Sequence, residues 1–171
     1  MIRIKYKRRD SSKNVLNLIR VATMTGIAKT LSDHHKLCDA LFARCERAAL
    51  ERRWVDTEEF CARICRAMNA HRDAEESVSF AGFESATGIM GGRTRGMRAE
   101  YAQMRDLLQR LAQSTGGRRH ADDADGAEML LIRMQRHNLK QEDIVYPLCA
   151  RALAPRSDEL TRQLVQALTP P

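Results

Sequence analysis

Four stretches of this sequence each carry a potential metal ligand among regularly spaced apolar residues. The candidates are His35, His71 with Glu75, Tyr101 and His137. A single histidine in an apolar stripe usually packs in a core, but candidates in four successive stripes indicate a shared site. Imidazole and carboxylate together suit first-row transition metals such as iron, whereas calcium and magnesium prefer mostly oxygen. The residue types therefore predict a transition-metal site.

The second stretch has a spacing typical of helical metal sites. In His71-x-x-x-Glu75 the step of four residues places both side chains on one helix face. The ferritin type of di-iron bundle instead needs Glu-x-x-His on two helices. The positions three residues before the candidate histidines hold Ser32, Met68 and Met134. The sequence therefore disfavours a ferritin-type site.

Apolar residues at steps of three and four predict four long helices and no strand. The first helix is expected from Ser32, a candidate N-cap, to about residue 52. The second is expected from Asp56 or Thr57 to near Gly82. Both helices carry their candidate ligands on the apolar side.

Two loops frame the third helix. The segment 87–96 is rich in glycine, and the polar segment 114–126 contains His120. The fourth helix is expected at 127–153, where Pro147 predicts a kink or an early end.

The candidate ligands lie at matching depths. His35 lies about 25 Å before the end of the first helix and His71 about 21 Å after the start of the second, because an α-helix rises about 1.5 Å per residue. Tyr101 and His137 each lie about 11 or 12 residues from the second loop, roughly 17 Å. Antiparallel helices bring such residues together, so we expect both pairs to meet inside the fold.

The expected fold is all-α, an up-down-up-down four-helix bundle with a short C-terminal helix. The bundle is expected at 31–153, and residues 154–171 should form an amphipathic helix and tail outside it. The net charge of +7 is concentrated in a basic head, 1–30, expected to be a solvated tail. Because Met24 precedes the first patterned segment, 1–23 is a candidate leader.

The composition indicates one globular domain, with 43% hydrophobic and 30% charged residues. No stretch approaches the roughly 20 apolar residues of a membrane helix, and the body after the head is nearly neutral. We expect no membrane partner and no specific nucleic acid partner. Five cysteines without a CxxC pair favour core packing over disulfides, and a cytoplasmic location.

Taken together, these segments resemble a known family, the bacterial hemerythrin-like (HHE cation-binding) domains. The resemblance covers roughly 31–153 and rests on four segments: Asp-His-His-Lys-Leu-Cys-Asp-Ala-Leu-Phe (33–42), His-Arg-Asp-Ala-Glu-Glu (71–76), Met-Arg-Ala-Glu-Tyr-Ala-Gln-Met-Arg (97–105) and His-Asn-Leu-Lys-Gln-Glu-Asp-Ile-Val-Tyr-Pro (137–147). It implies a four-helix bundle with a non-haem, usually binuclear, iron site. The implied ligands are His35, His71, Glu75 and His137, with His34 facing outward.

Two positions depart from the family at the site itself. Tyr101 stands where the family has a histidine, and Gln141 stands where it has a bridging carboxylate. Tyr101 is either a phenolate ligand of ferric iron or a buried phenol. Glu142 is a further candidate ligand, but it lies about 140° around an ideal helix from His137 and needs a local distortion to reach the site. The number of iron ions, one or two, stays open.

Three functional hypotheses follow. The first is a non-haem iron protein that binds or senses a small ligand, namely dioxygen, nitric oxide or peroxide. The second is a degenerate bundle with reduced or no metal that acts as an interaction or regulatory module. The third is an enzyme that turns over peroxide or nitric oxide. Under the first hypothesis, four phenylalanines are candidates for a dry pocket, with core packing as the alternative: Phe42, Phe60, Phe80 and Phe83.

Overall fold

The computed structural model describes residues 26–116 and 124–169. Within these ranges the chain is helical and contains no strand, which confirms the all-α expectation. None of the described helices combines the length and apolar character needed to cross a bilayer. Most of the expected head and the middle of the second loop, with His120, lie outside the described residues.

The first bundle helix begins earlier than the apolar stripe suggests. α1 spans Gly26–Leu50, and its first turn buries Ile27 and Ala28 in the core. Ser32 is therefore a buried residue inside the helix rather than its N-cap. Residues 26–30 belong to the bundle and not to the head, because their apolar side chains pack against the C-terminal helix.

The second bundle helix is continuous but changes its winding. In order, it comprises α2 (Trp54–Ala74), a first π-helical segment (Glu75–Phe80) and α3 (Ala81–Thr87). Asp56 and Thr57, the expected caps, lie inside the first turn because α2 already begins before them. The helix also passes the end expected at Gly82 and stops at Gly88, whose left-handed backbone (φ 69°) terminates it.

The third and fourth bundle helices leave a shorter glycine loop than expected, at 88–92. The elements are α4 (Arg93–Gly116), α5 (Ala124–Lys140), a second π-helical segment (Gln141–Val145) and α6 (Tyr146–Ala152). Pro147 does not end the fourth helix. It occupies the first turn of α6, where a proline is tolerated.

The bundle helices pack as a closed up-down-up-down ring. α1 packs against α2, α2 against α4, α4 against α5, and α6 against α1. After a short 3-10 turn, Ala154–Arg156, the last helix α7 spans Ser157–Leu168 and contacts α1 and α2. Because Leu160 and Leu164 are buried there, α7 closes one end of the core instead of lying outside it.

Two apolar clusters fill the core, one on each side of a polar layer. The first cluster lies toward the α1–α2 link and includes Cys45, Cys61 and Leu130. The second lies toward α7 and includes Ile27 and Phe80. The five cysteines are free thiols, four of them buried and one half-buried, in agreement with their expected packing role.

Candidate metal centre

The buried polar residues of all four bundle helices meet in one layer. The ring centroids of His35 and His71 lie 4.6 Å apart, and those of Tyr101 and His137 lie 4.5 Å apart. His71 and Tyr101, from the second and third helices, are 6.5 Å apart. Both pairs expected from helix depth therefore meet, and Glu75 lies beside them, 3.7 Å from His71 between Oε1 and Nε2.

His35 is held on both sides of its ring. Its Nδ1 lies 3.0 Å from Glu142 Oε1, and its Nε2 lies 2.9 Å from Gln141 Oε1 and 3.0 Å from the Tyr146 hydroxyl. A neutral imidazole has a single N–H, which can serve either the carboxylate or the amide oxygen but not both. Both contacts are satisfied when a second positive group, either a further proton or a metal cation, is present at this ring.

His137 shows the same arrangement with a different carboxylate. Its Nδ1 lies 2.9 Å from Glu100 Oε2, while Nε2 is buried and has no hydrogen-bond partner among the described residues. Burial lowers the pKa of His137 to about 4, so the ring is neutral at pH 7. With Nδ1–H donated to Glu100, the lone pair of Nε2 faces the layer.

Glu75 is the fully buried carboxylate at the middle of the layer. Its Oε2 accepts hydrogen bonds from the Tyr101 hydroxyl at 2.8 Å and from Gln141 Nε2 at 2.5 Å. Its Oε1 has no hydrogen-bond partner in the described part of the chain. Burial raises the pKa of Glu75 above its ordinary value, because ionisation without a nearby cation is unfavourable.

The two residues that depart from the family thus both bind Glu75. Burial and the nearby Glu75 carboxylate raise the pKa of Tyr101 well above its ordinary value, so the side chain is a phenol that donates its proton. Gln141 uses both ends of its amide: the nitrogen donates to Glu75, and the oxygen accepts from Tyr146 at 3.1 Å.

His34 is a correction to the sequence interpretation. It is buried rather than outward-facing, and its ring stacks on that of His71 at 5.2 Å with an interplanar angle of 17°. Its Nδ1 also lies 3.8 Å from Cys38 Sγ. The reason is that α1 has neighbours on several sides, α2, α6 and α7, so more than one stripe of the helix is covered. Burial lowers the pKa of His34 to about 4.

A small cavity of about 20 Å³ adjoins the layer. That volume accommodates roughly one water-sized molecule. Three methionines form most of its apolar wall, and none of the four phenylalanines, all within the described ranges, lines it. The full lining is His35, Cys38, Met68, His71, Tyr101, Met104, Met134, His137 and Asn138.

Sequence reasoning missed two contributors to this layer. Tyr146 was visible as part of the closing Tyr-Pro of the fourth segment, and Glu100 precedes Tyr101 in the third. Neither could be assigned from helix periodicity alone. Tyr146 reaches the layer only through the second π-helical segment, and Glu100 reaches it through Nδ1 of His137.

Across residues 26–116 and 124–169, no three histidine, cysteine, aspartate or glutamate side chains already stand in a metal-binding arrangement. Uncharged side chains also belong to the layer. Gln141, for example, contacts both His35 and Glu75. The donor chemistry nevertheless fits a cation. Glu75 Oε1 and His137 Nε2 are buried without a hydrogen-bond partner among the described residues, and a cation would compensate such acceptors.

The fold and the layer define a helical-bundle domain of cation-binding type. Residues 26–149 match the family model of the hemerythrin HHE cation binding domain. The match spans most of the chain and begins at the first residue of α1, so the protein belongs to this family. No curated protein and no solved structure matches the chain significantly.

Proposed function

We propose that this protein is a hemerythrin-like non-haem iron protein that binds or senses a small ligand, either dioxygen, nitric oxide or peroxide. The observation that carries the proposal is the presence of buried acceptors without donors in the layer. Glu75 Oε1 and His137 Nε2 are buried without a hydrogen-bond partner among the described residues. A bound iron ion would supply a compensating positive charge together with a position at which a small ligand can bind.

The residues of the chain have distinct tasks in this proposal. We assign His35, His71 and Glu75 as ligands of the ion. Glu142 and Glu100 orient the rings of His35 and His137 by accepting the proton on Nδ1. Glu142 thus reaches the ligand set through an imidazole, although the sequence offered it as a ligand.

The cavity supports a very small ligand. Its volume of about 20 Å³ accommodates roughly one water-sized molecule and has no room for an organic substrate, and Met68, Met104 and Met134 contribute to its apolar wall. Tyr101 and His137 line the same cavity. The free thiols of the core support a cytoplasmic location for this ligand chemistry.

The test is the metal content of protein purified aerobically from iron-replete medium, measured by elemental analysis with the visible spectrum. We expect iron in a substantial fraction of chains. His71→Ala and Glu75→Ala should lose most of it while helicity, followed by circular dichroism, is retained. Glu76→Ala removes a neighbouring half-buried carboxylate that lies near Arg98, and it should keep the wild-type iron content.

The second candidate is a metal-free bundle that acts as an interaction or regulatory module. It is favoured by one observation, the uncharged Gln141 and Tyr101 that already satisfy one oxygen of Glu75. Transition metal below about a tenth of an equivalent, after attempts to load the protein with iron, would support this candidate and overturn the iron proposal.

A further inference from the structure

We propose that the polar layer holds one metal ion and that Tyr101 and Gln141 stand in place of a second. This inference rests on the proposed iron site and specifies its stoichiometry. The layer has two sides, which share the carboxylate of Glu75. One side presents Glu75 Oε1 with His71, whose ring centroid lies 4.6 Å from that of His35, and the other presents Glu75 Oε2 with Tyr101.

The Oε2 side is closed by hydrogen bonds. A carboxylate oxygen has two lone-pair positions, and Glu75 Oε2 accepts from Tyr101 at 2.8 Å and from Gln141 at 2.5 Å. To bridge to a second ion, this oxygen would have to give up at least one of these donors. The donor would then be buried without a partner, at a cost of about 1–3 kcal/mol.

The closed side also lacks negative charge. In its neighbourhood Gln141 is a neutral amide, and Glu100, the carboxylate nearest His137, is occupied by His137 and Lys140. Among the residues that the structure describes, a second ion on this side would find a single unpartnered ligand atom, Nε2 of His137. A dication held by one neutral imidazole in a buried position is unfavourable, because its charge is not compensated.

The Oε1 side has the opposite character. His35 Nε2 lies 2.9 Å from Gln141 Oε1 and 3.0 Å from the Tyr146 hydroxyl, and His71 Nε2 lies 3.7 Å from Glu75 Oε1. Neighbouring ligands of one ion, each about 2.1 Å from it, are separated by about 3 Å. The acceptor atoms on this side are therefore already near the mutual spacing that one ion needs.

Gln141 connects the two sides. Its amide nitrogen occupies Glu75 Oε2, which leaves its oxygen directed toward His35 on the other side. The same amide therefore blocks one position and adds a neutral oxygen to the other. Replacing it with glutamate would remove the donor and add a charge, which are the two changes that a second ion requires.

The experiment is an anaerobic titration of the metal-free full chain with ferrous iron, followed by elemental analysis of the bound metal and electron paramagnetic resonance after oxidation. The wild type should saturate at one ion per chain and give the signal of an isolated ferric ion. The variant Tyr101→His/Gln141→Glu should bind up to twice as much iron, and the isolated signal should weaken because two ferric ions couple. Gln103→Glu, an exposed amide-to-acid change on α4, is the matched control and should stay at one ion.

The possible outcomes separate this inference from the iron proposal. Two ions per wild-type chain would overturn the inference while the iron proposal stands. No bound iron would overturn both. A double variant that keeps its helicity but still binds one ion would contradict the roles of Tyr101 and Gln141. If that variant does not fold, Gln141→Glu alone and the wild-type stoichiometry still decide the question.

Discussion

Two carboxylates outside the polar layer determine how the imidazoles inside it are presented. Glu142 contacts Nδ1 of His35 at 3.0 Å, and Glu100 contacts Nδ1 of His137 at 2.9 Å. An imidazole that donates its Nδ1 proton outward keeps the Nε2 lone pair directed inward, and the negative charge outside makes the ring a stronger base. In the proposed site, glutamate thus acts both as a ligand, at Glu75, and as a support for the histidine rings, at Glu142 and Glu100.

Glu142→Gln tests this division of tasks. The amide keeps the shape of the side chain but removes its charge, so His35 is oriented less firmly toward the ion. We expect iron affinity to fall by about 10- to 100-fold with helicity unchanged. Competition with a chelator of known affinity measures the change. An unchanged affinity would remove Glu142 from the site, and complete loss of iron would make it a direct ligand.

Tyr101→Phe tests the role of the hydroxyl. Since the phenol donates to Glu75, the iron-loaded wild type should show no phenolate-to-iron band, and the variant should have nearly the same visible spectrum. Loss of this buried hydrogen bond should lower the free energy of unfolding by about 1–2 kcal/mol, measured with urea. A purple or blue band that disappears in Tyr101→Phe would instead identify Tyr101 as a ligand.

Individual residues show what could be predicted from the sequence and what could not. The meeting of His35 with His71 followed from helix lengths alone, because depth along a straight helix is simple arithmetic. The partners of each nitrogen did not follow, since they depend on rotations that periodicity does not specify. The expectation that His34, adjacent to His35, faces outward is wrong, because neighbouring helices cover α1 on several sides.

At the scale of elements, the two π-helical segments explain most of the remaining differences. Each begins at a residue of the polar layer, Glu75 or Gln141. On an ideal α-helix Tyr146 would lie roughly 140° around from Gln141, yet its hydroxyl donates to Gln141 Oε1 at 3.1 Å. The wider winding of the π-helical segments therefore brings additional side chains into the layer. A pattern of apolar residues at α-helical spacing does not predict such segments.

An ion pair with an adjoining hydrogen bond connects the end of the second bundle helix to the start of the third. Glu84 accepts hydrogen bonds from the Thr94 hydroxyl at 2.5 Å and from Arg98 at 2.7 Å. The hydrogen bond from the Arg98 guanidinium and, as the next largest effect, that from the Thr94 hydroxyl lower the pKa of Glu84 below its ordinary value of 4.5. This pair fixes how α3 and α4 meet across the glycine loop, at one end of the bundle.

The Glu84 pair predicts a specific dependence of stability on pH. A lowered pKa in the folded state means that the unfolded chain binds the proton first, so the contribution is complete above about pH 4.5 and is lost as the pH falls through the folded-state value. Glu84→Gln should cost about 1 kcal/mol at pH 7, because the partly exposed Arg98 limits the effect. The difference from the wild type in urea unfolding should shrink below pH 4.5, and a constant difference down to pH 3 would contradict it.

At the scale of the whole molecule, the polar layer lies between two apolar clusters, and Tyr101 and Tyr146 each belong to the layer and to one of these clusters. One cluster lies toward the α1–α2 link and the other toward α7. Apolar periodicity predicted the four bundle helices because it reflects this burial directly. It underestimated α7 and the start of α1, since each of these segments is short and they become part of the core partly by packing against each other.

The two clusters lead to a final prediction about metal removal. A chain of this length buries enough apolar surface to fold without a metal, so chelation of the iron should leave the helical circular dichroism nearly unchanged. Iron stabilises the folded state by binding to it, which amounts to about 2.7 kcal/mol at a free concentration 100 times the dissociation constant. For a domain of this size each kcal/mol shifts Tm by about 2–4 °C, so the iron-free protein should melt about 5–10 °C lower. Differential scanning calorimetry over a series of iron concentrations measures the shift, and Glu75→Ala should show none of it. Loss of most helicity on chelation would instead mean that the polar layer, with its buried acceptors, cannot be accommodated without the ion.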